Sequence, residues 1–239
     1  MKSDGRRLKE KAHGLISACT LFQGLGEQQR AQLFDRIHLR DYDAGDTIFS
    51  MGDSGASLLA VVEGSVQITV PSPEGKEIIL AIMHAGDVFG EISLLDGQER
   101  SADARAMTSC TLAILERRDV LRVFDGYPQA YFDVVQLLCQ RLRRTTTQMA
   151  EVTLLDLPPR LARALLRVAR AQVADSEATT PDVVTLSQRE LGNIVGATRE
   201  SVNKCLRVWQ LNKIVEVQTA GIRILDQTAL ESLADLLDH

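Results

Sequence analysis

From His38 to Leu115 the chain repeats one unit, a short apolar or alternating segment closed by a turn signal. The signals stand at Ala44-Gly45, Gly52-Asp53, Glu63-Gly64, Glu74-Gly75, Ala85-Gly86 and Asp96-Gly97. A chain that reverses this often has no room for long helices there. Its short strands pair across tight turns, and regular spacing of that kind predicts an antiparallel barrel or jelly roll.

The texture on both sides is helical. Leu15 to Ile37 is loosely amphipathic, RRDVLRVF follows Glu116, and an uninterrupted segment runs from Tyr127 or Pro128 to about Leu155. Within it Tyr131, Val135, Leu138, Leu142, Thr145, Met149 and Val152 are spaced alternately by four and three residues, the a/d seam of a coiled coil. A seam on one helix needs a partner, so the spacing predicts a parallel homodimer in preference to packing on the barrel. Asp156-Leu157-Pro158-Pro159 ends the pattern, because proline suits a helix start and breaks a helix interior. Asp156 is the expected N-cap of a new helix reaching about Ala174. The expected division is 1–126 for the N-terminal helices and barrel, 127–155 for the dimerisation helix and 156–239 for a C-terminal domain. VADSEATTPDVV reads as a loop without chemistry.

Composition narrows the function. The 239 residues are enough for two ordinary domains, and 45% apolar with 25% charged residues describe a soluble globular chain. No apolar run matches a bilayer, and the basic MKSDGRRLKEK is followed by no convincing cleavage site, so a cytoplasmic protein is expected. Cys19, Cys110, Cys139 and Cys205 form no CxxC pair, which predicts ordinary reduced thiols without zinc or disulfides. A net charge of -5 excludes indiscriminate polyanion binding. Nucleic-acid recognition would therefore need a local basic patch.

LSQRELGNIVGATRESVNKCLRVWQLNKIVEVQTAGIRIL supplies one. Ser187 to Glu190 form a capping box, Gly196 makes a turn, and Thr198 caps a second helix. Leu191, Ile194, Val195, Val202, Leu206 and Trp209 face inward. Ile214–Gln218 and Ile222–Leu225, separated by Ala220-Gly221, read as a two-stranded wing. Arg199, Glu200, Asn203, Lys204 and Arg207 fall on the outer faces, with Arg199, Glu200 and Lys204 at the end a recognition helix inserts into the major groove. Arg bonds both acceptors of guanine and Glu accepts from cytosine, so a DNA reader outweighs a merely solvated face.

Inside the barrel region, GEISLLDGQERSADARA places Glu91 and Arg100 at the two ends of a glycine-punctuated loop. One cation, one hydroxyl, backbone N–H groups and a carboxylate suit a ligand with an anionic group and sugar hydroxyls.

The two motifs together resemble the cyclic AMP receptor protein (catabolite activator) family, from about Leu15 to Leu225. The resemblance implies an α+β fold: an antiparallel β-roll or jelly-roll cyclic-nucleotide-binding domain, a long dimerisation helix and a winged helix-turn-helix. It implies that Gly90 and Glu91 hold the ribose, that Arg100, Ser101 and the Ala102 amide hold the cyclic phosphate, and that Thr145 and Thr146 hold the base. Cyclic AMP is the implied allosteric ligand, with cyclic GMP left open. In the reader it implies base contacts by Arg199, Glu200 and Lys204, the last standing where the family's enteric member carries arginine. Ser187, Arg189, Thr198 and Asn203 complete the expected DNA-binding set. Palindromic duplex DNA with a TGTGA-type half-site, a second copy of the chain and RNA polymerase are the implied partners. Nucleotide binding would shift the dimer helix and, through Asp156-Leu157-Pro158, both readers. Related branches that sense iron–sulfur chemistry or haem need cysteine or histidine where this chain has only Cys19 and His84. A metal-dependent barrel enzyme needs clustered ligands that His13, His38, His84 and His239 do not supply. A regulator without enzymatic activity is expected.

Overall fold

The computed structural model describes Leu8, residues 10–15, Phe22, residues 24–72, Glu74, and residues 76–174, 183–219 and 221–235. Cys19, Gly75, Ala220, His239 and residues 175–182 of the expected loop lie outside them. The chain divides into two compact units, Met1–Lys76 with Leu80–Arg143, and Arg144–His239 with Glu77–Ile79.

The first unit, together with Glu77–Ile79, holds a β-roll of two four-stranded sheets, β1-β8-β3-β6 and β2-β7-β4-β5. The strands are β1 (His38–Tyr42), β2 (Thr47–Phe49), β3 (Ser57–Glu63), β4 (Val66–Pro71), β5 (Glu77–Met83), β6 (Val88–Phe89), β7 (Asp103–Ala106) and β8 (Cys110–Glu116). The pairs β1·β8, β3·β8, β3·β6, β2·β7 and β4·β7 are antiparallel, as the turn spacing predicts. β3 explains why one stretch reads as continuously apolar instead of alternating. Leu59 and Val61 point into the roll with Val66, Phe89 and Leu112. Leu58, Ala60 and Val62 enter a second core with Phe22, Leu33, Val120 and Phe124. Both faces are covered, so both parities are apolar. Each fully buried leucine or phenylalanine contributes about 1.5–3 kcal/mol.

The N-terminal amphipathic stretch is not one helix. Residues 10–15 are helical, 24–26 are not, and α1 (Glu27–Phe34) follows. α2 (Glu91–Asp96) and α3 (Arg117–Asp125) lie within and after the roll. His84 sits in the turn before β6, where its N–H donates to Asp87 Oδ2 at 2.8 Å.

α4 (Gln129–Leu154) is the long helix that the seam predicts. Val134 is buried and Leu138 half-buried against the first unit's core. Tyr131, Val135, Leu142, Met149 and Val152 are exposed, Leu142 to 67% and Met149 to 72%. The outer stripe is thus exposed among the described residues.

α5 (Leu157–Ala174) begins where the two prolines stand. The expected capping role of Asp156 is not realised: its carboxylate makes no hydrogen bond among the described residues, and only its carbonyl accepts, from Arg160 N–H at 3.4 Å. Pro158 and Pro159 occupy the two positions whose N–H groups a capping carboxylate accepts from, and proline has none. Glu151, buried near the end of α4, lies 3.7 Å from Arg163 and from Arg167 of α5.

The rest of this unit is the helix-turn-helix with its wing. α6 (Gln188–Val195) carries the full capping box, with Glu190 N–H donating to Ser187 Oγ at 3.2 Å and Ser187 N–H to Glu190 Oε2 at 2.7 Å. Gly196 takes φ 65°, a left-handed turn without steric cost to glycine. Thr198 caps α7 (Arg199–Leu211) by accepting from Ser201 N–H at 3.2 Å. Leu191, Val195, Val202, Leu206 and Trp209 are buried, whereas Ile194 is half-buried. β10 (Val215–Gln218) and β11 (Gly221–Ile224) form the antiparallel wing, and α8 (Gln227–Ala234) closes the unit. The expected loop ends differently: Val183–Val184 form a third strand, β9, paired with β11. Two residues are too short a run for periodicity to register.

Candidate cyclic-nucleotide and DNA sites

The segment expected to be a loop between Gly90 and Arg100 is partly helical. β6 delivers the chain to Gly90, whose φ of 80° turns it into α2, and Gly97, also left-handed, ends that helix. At Gly90 a side chain is doubly excluded, since a Cβ there would stand 2.5 Å from Arg100 Nη1 and 3.2 Å from the Ser57 carbonyl. The turn puts Glu91 and Arg100 in one small cavity of about 60 Å³, with Phe49, Ser93, Ser101, Ala102 and Arg141 also in its wall.

Both charged groups are buried, Glu91 to 1% and Arg100 to 5% exposure. Arg100 Nη1 donates to the Gly90 carbonyl at 3.0 Å and Ser93 Oγ at 2.9 Å, while Nη2 donates to the Ser57 carbonyl and Oγ, each at 3.0 Å. Its guanidinium lies 4.3 Å over the Phe49 ring. Burial pushes the Arg100 pKa below its ordinary value, and the Glu91 and Asp53 carboxylates work against that shift. Glu91 Oε1 accepts from Arg141 Nη1, and the same guanidinium reaches the Val88 carbonyl. Glu91 Oε2 and Arg100 Nε are buried without a hydrogen-bond partner among the described residues. A buried carboxylate oxygen without a partner costs free energy.

The structure therefore brings together Gly90, Glu91, Arg100, Ser101 and Ala102. Thr145 and Thr146 stand one turn past Arg141 on α4, exposed and counted in the second unit, and the cavity wall includes neither.

In the second unit a polar groove of about 400 Å³ runs between the start of α6, the wing and Arg199. It gathers Ser187, Arg189 and Arg199 of the expected DNA-binding set. Glu200, Asn203 and Lys204 follow on α7, where Lys204 Nζ lies 3.1 Å from Glu200 Oε1. Ser187 and Thr198 accept from helix N–H groups, so their first role is to fix the ends of α6 and α7.

Comparison with known proteins identifies both domains. A cyclic nucleotide-binding domain model matches residues 39–127 and a Crp-like helix-turn-helix model matches residues 159–233. The chain is 30% identical over 181 residues to the cAMP-activated global transcriptional regulator CRP of Salmonella typhimurium, covering 74% of this chain and 85% of that protein. It belongs to the cyclic AMP receptor protein family. A second relative, the CRP-like cAMP-activated global transcriptional regulator of Mycobacterium tuberculosis, is 28% identical over 216 residues, 90% of this chain and 96% of its own. A solved CRP-family transcriptional regulator from Thermus thermophilus superposes with a TM-score of 0.67 at 28% identity, covering 82% of this chain and 96% of that one. The α+β fold expected for the family is the fold observed, and the family is one of transcription regulators, not enzymes. No helix among the described residues is long and apolar enough to cross a membrane.

Family motifs did not point to every residue of the cavity. Ser57 and Ser93 hold the Arg100 fork, Phe49 lies under it, and Arg141 neutralises Glu91. The one available signal was Arg141 standing a turn before Thr145 on the same helix.

Proposed function

We propose that the chain is a homodimeric, cyclic-nucleotide-dependent transcription regulator, in which cyclic AMP at the β-roll enables binding to palindromic promoter DNA. The observation that carries this reading is the buried pair in one cavity: Arg100, a cation with a planar fork, and Glu91, with one oxygen held by Arg141 and the other without a partner. A cyclic phosphate suits the fork, with Ser101 and the Ala102 N–H as further donors, and a ribose hydroxyl suits the open oxygen. Gly90 lets the Arg100 fork pack against the backbone beside Glu91. Thr145 and Thr146 are assigned to the base, and since a hydroxyl both donates and accepts, they are compatible with adenine and with guanine. In the reader, Arg199, Glu200 and Lys204 are assigned to base edges and Ser187, Arg189, Thr198 and Asn203 to the surrounding DNA, with a TGTGA-type half-site.

The exposed stripe of α4 supports the dimer. Two copies packed along it would bury Leu142 and Met149, leaving Thr145 as the polar position that fixes register. In that arrangement a nucleotide bound beside α4 biases one dimer geometry, a coupling of about 1–3 kcal/mol that acts in both directions. Contact with RNA polymerase belongs to the same reading.

One observation favours a second reading. The Arg100 fork is already satisfied by Ser57, Ser93 and Gly90, and a cavity of about 60 Å³ is below the roughly 300–1,000 Å³ of ordinary ligand pockets. A nucleotide must replace internal contacts to enter, and a regulator whose site stays closed would be constitutive. Mobility shift on a palindromic TGTGA-type duplex separates the two, with no ligand, cyclic AMP or cyclic GMP at one fixed salt concentration. A shift only with nucleotide supports the allosteric regulator and names the base. Equal shifts throughout mean a regulator that is constitutive or responds to a different effector. Sedimentation equilibrium of Leu142→Asp tests the dimer, with monomers expected for the variant.

A further inference from the structure

The outer face of α7 is divided into two ridges in different electrostatic states. Glu200 and Lys204 are paired with each other at 3.1 Å. On the neighbouring ridge Arg199, Asn203 and Arg207 succeed one another at intervals of four residues, and none of their side chains makes a hydrogen bond or ion pair among the described residues. Asn203 is half-buried while the four charged residues around it are exposed. An asparagine inside a helix is a poor choice for stability, because its amide competes for the backbone and its helix propensity is low. Where such a residue is structural, its amide has a partner. This one has no protein partner among the described residues, and it stands on the same ridge as the Arg199 fork, which has none among them either.

We infer that Asn203 reads an adenine in the DNA half-site, a step that deepens the DNA-binding reading above and rests on it. The carboxamide presents one donor and one acceptor side by side, which match N7 and N6 of adenine, whereas guanine offers two acceptors at the corresponding edge. Arg199 has the complementary preference for guanine. Four helical residues advance about 6 Å along the axis, and stacked pairs are about 3.4 Å apart, so the adenine lies within about two base pairs of the guanine that Arg199 selects. The two planar groups of this ridge, Arg199 and Asn203, thus add a guanine and an adenine preference beside the base contacts assigned to Glu200 and Lys204.

The test is selection of duplexes from a pool with a randomised half-site, using the full-length protein with and without cyclic AMP, for wild type, Arg199→Ala, Asn203→Ala and Asn203→Ser. Wild type is expected to enrich an adenine within two positions of the guanine whose selection Arg199→Ala abolishes. Both Asn203 variants should keep the guanine and lose the adenine preference, by about 5- to 150-fold. Replacing that adenine by 7-deazaadenine, which lacks the N7 acceptor, should weaken wild type and leave Asn203→Ala unchanged. An unaltered profile for the Asn203 variants, or indifference of wild type to the 7-deaza base, overturns this assignment alone. A pool from which wild type enriches nothing overturns the DNA-binding reading and this one with it.

Discussion

The cavity of the β-roll and the outer face of α7 use the same residue types in opposite states. In the roll, Glu91 and Arg100 are almost wholly removed from water, each tied by hydrogen bonds with one atom left over. On α7, Arg199, Glu200 and Lys204 are exposed, and among them only Glu200 and Lys204 touch. The difference fits the ligands proposed for each. A small ligand is bound by groups held in place beforehand in a low-dielectric wall, where every unmatched atom is costly. A polyanion many times larger is bound by charges that stay solvated until it arrives, each worth little alone and all screened by salt. Single substitutions should therefore act strongly and locally in the roll, and weakly and additively on α7.

The largest effect is expected at Arg100. Arg100→Ala removes the assigned phosphate ligand and takes away the donors to the Ser57 carbonyl, Ser57 Oγ and Ser93 Oγ. Titration calorimetry with cyclic AMP should show at least a hundredfold loss of affinity, given about 1.5–3 kcal/mol for each charged hydrogen bond. Binding of cyclic AMP at wild-type strength would remove the buried site from the comparison. Arg141→Ala comes next. It leaves the buried Glu91 carboxylate with neither oxygen paired, and breaking such a pair costs about 3–5 kcal/mol. Because Arg141 is itself partly exposed, the loss should fall at the lower end, read from the midpoint of urea unfolding. An unchanged midpoint would mean that water reaches Glu91 and that the cavity is less buried than its geometry states.

These two residues also mark how far the sequence could be read. The β-roll was legible because its turns carry glycine and its strands alternate, and β3 stood out because burial on both faces makes it continuously apolar. The helix-turn-helix was legible because its caps are local, with Ser187 and Glu190, and Thr198 and Ser201, only three residues apart. Arg100 itself was legible from its motif, but what holds it was not. Ser57 lies 43 residues from Arg100 in the chain, and no local rule joins a strand serine to an arginine in the segment before β7. Arg141 was missed likewise, since an arginine on a long amphipathic helix looks like any solvated cation until a carboxylate is placed against it. Asp156 failed in the other direction. A correct capping residue stood at a correct helix start, and the prolines that marked the start had removed the donors.

On α7 the expected effects are smaller. Arg199→Ala should cost about 1–3 kcal/mol against the preferred duplex and relax the preference at one base pair. Arg189→Ala should weaken binding evenly across sequences and lower the slope of log affinity against log salt by about 1. Mobility shifts at three or four salt concentrations measure both. If Arg189→Ala altered sequence preference while the slope stayed fixed, the groove at the start of α6 would be a base-reading surface and the contrast with α7 would need redrawing.

The smallest effect sharpens the comparison from within the reader itself, because α7 has a buried side as well as an exposed one. Cys205, on its half-buried flank, has its thiol pushed up by burial from an ordinary 9.0 to about 11. A group whose pKa is higher folded than unfolded favours the folded state while it stays protonated. Its contribution is fully present below pH 9, where both states hold the proton, and is lost as the pH climbs towards 11 and the unfolded thiol ionises first. Thermal melts of the protein at about pH 8, 9, 10 and 11 should show the wild type losing more stability over the upper part of that range than Cys205→Ala does. The variant removes only this proton, so tyrosine and lysine titrations elsewhere are common to both proteins and cancel in the difference. Parallel melting curves would mean that solvent reaches Cys205 freely. Divergence beginning near pH 9 would show that the half-buried flank of α7 is shielded from solvent around Cys205.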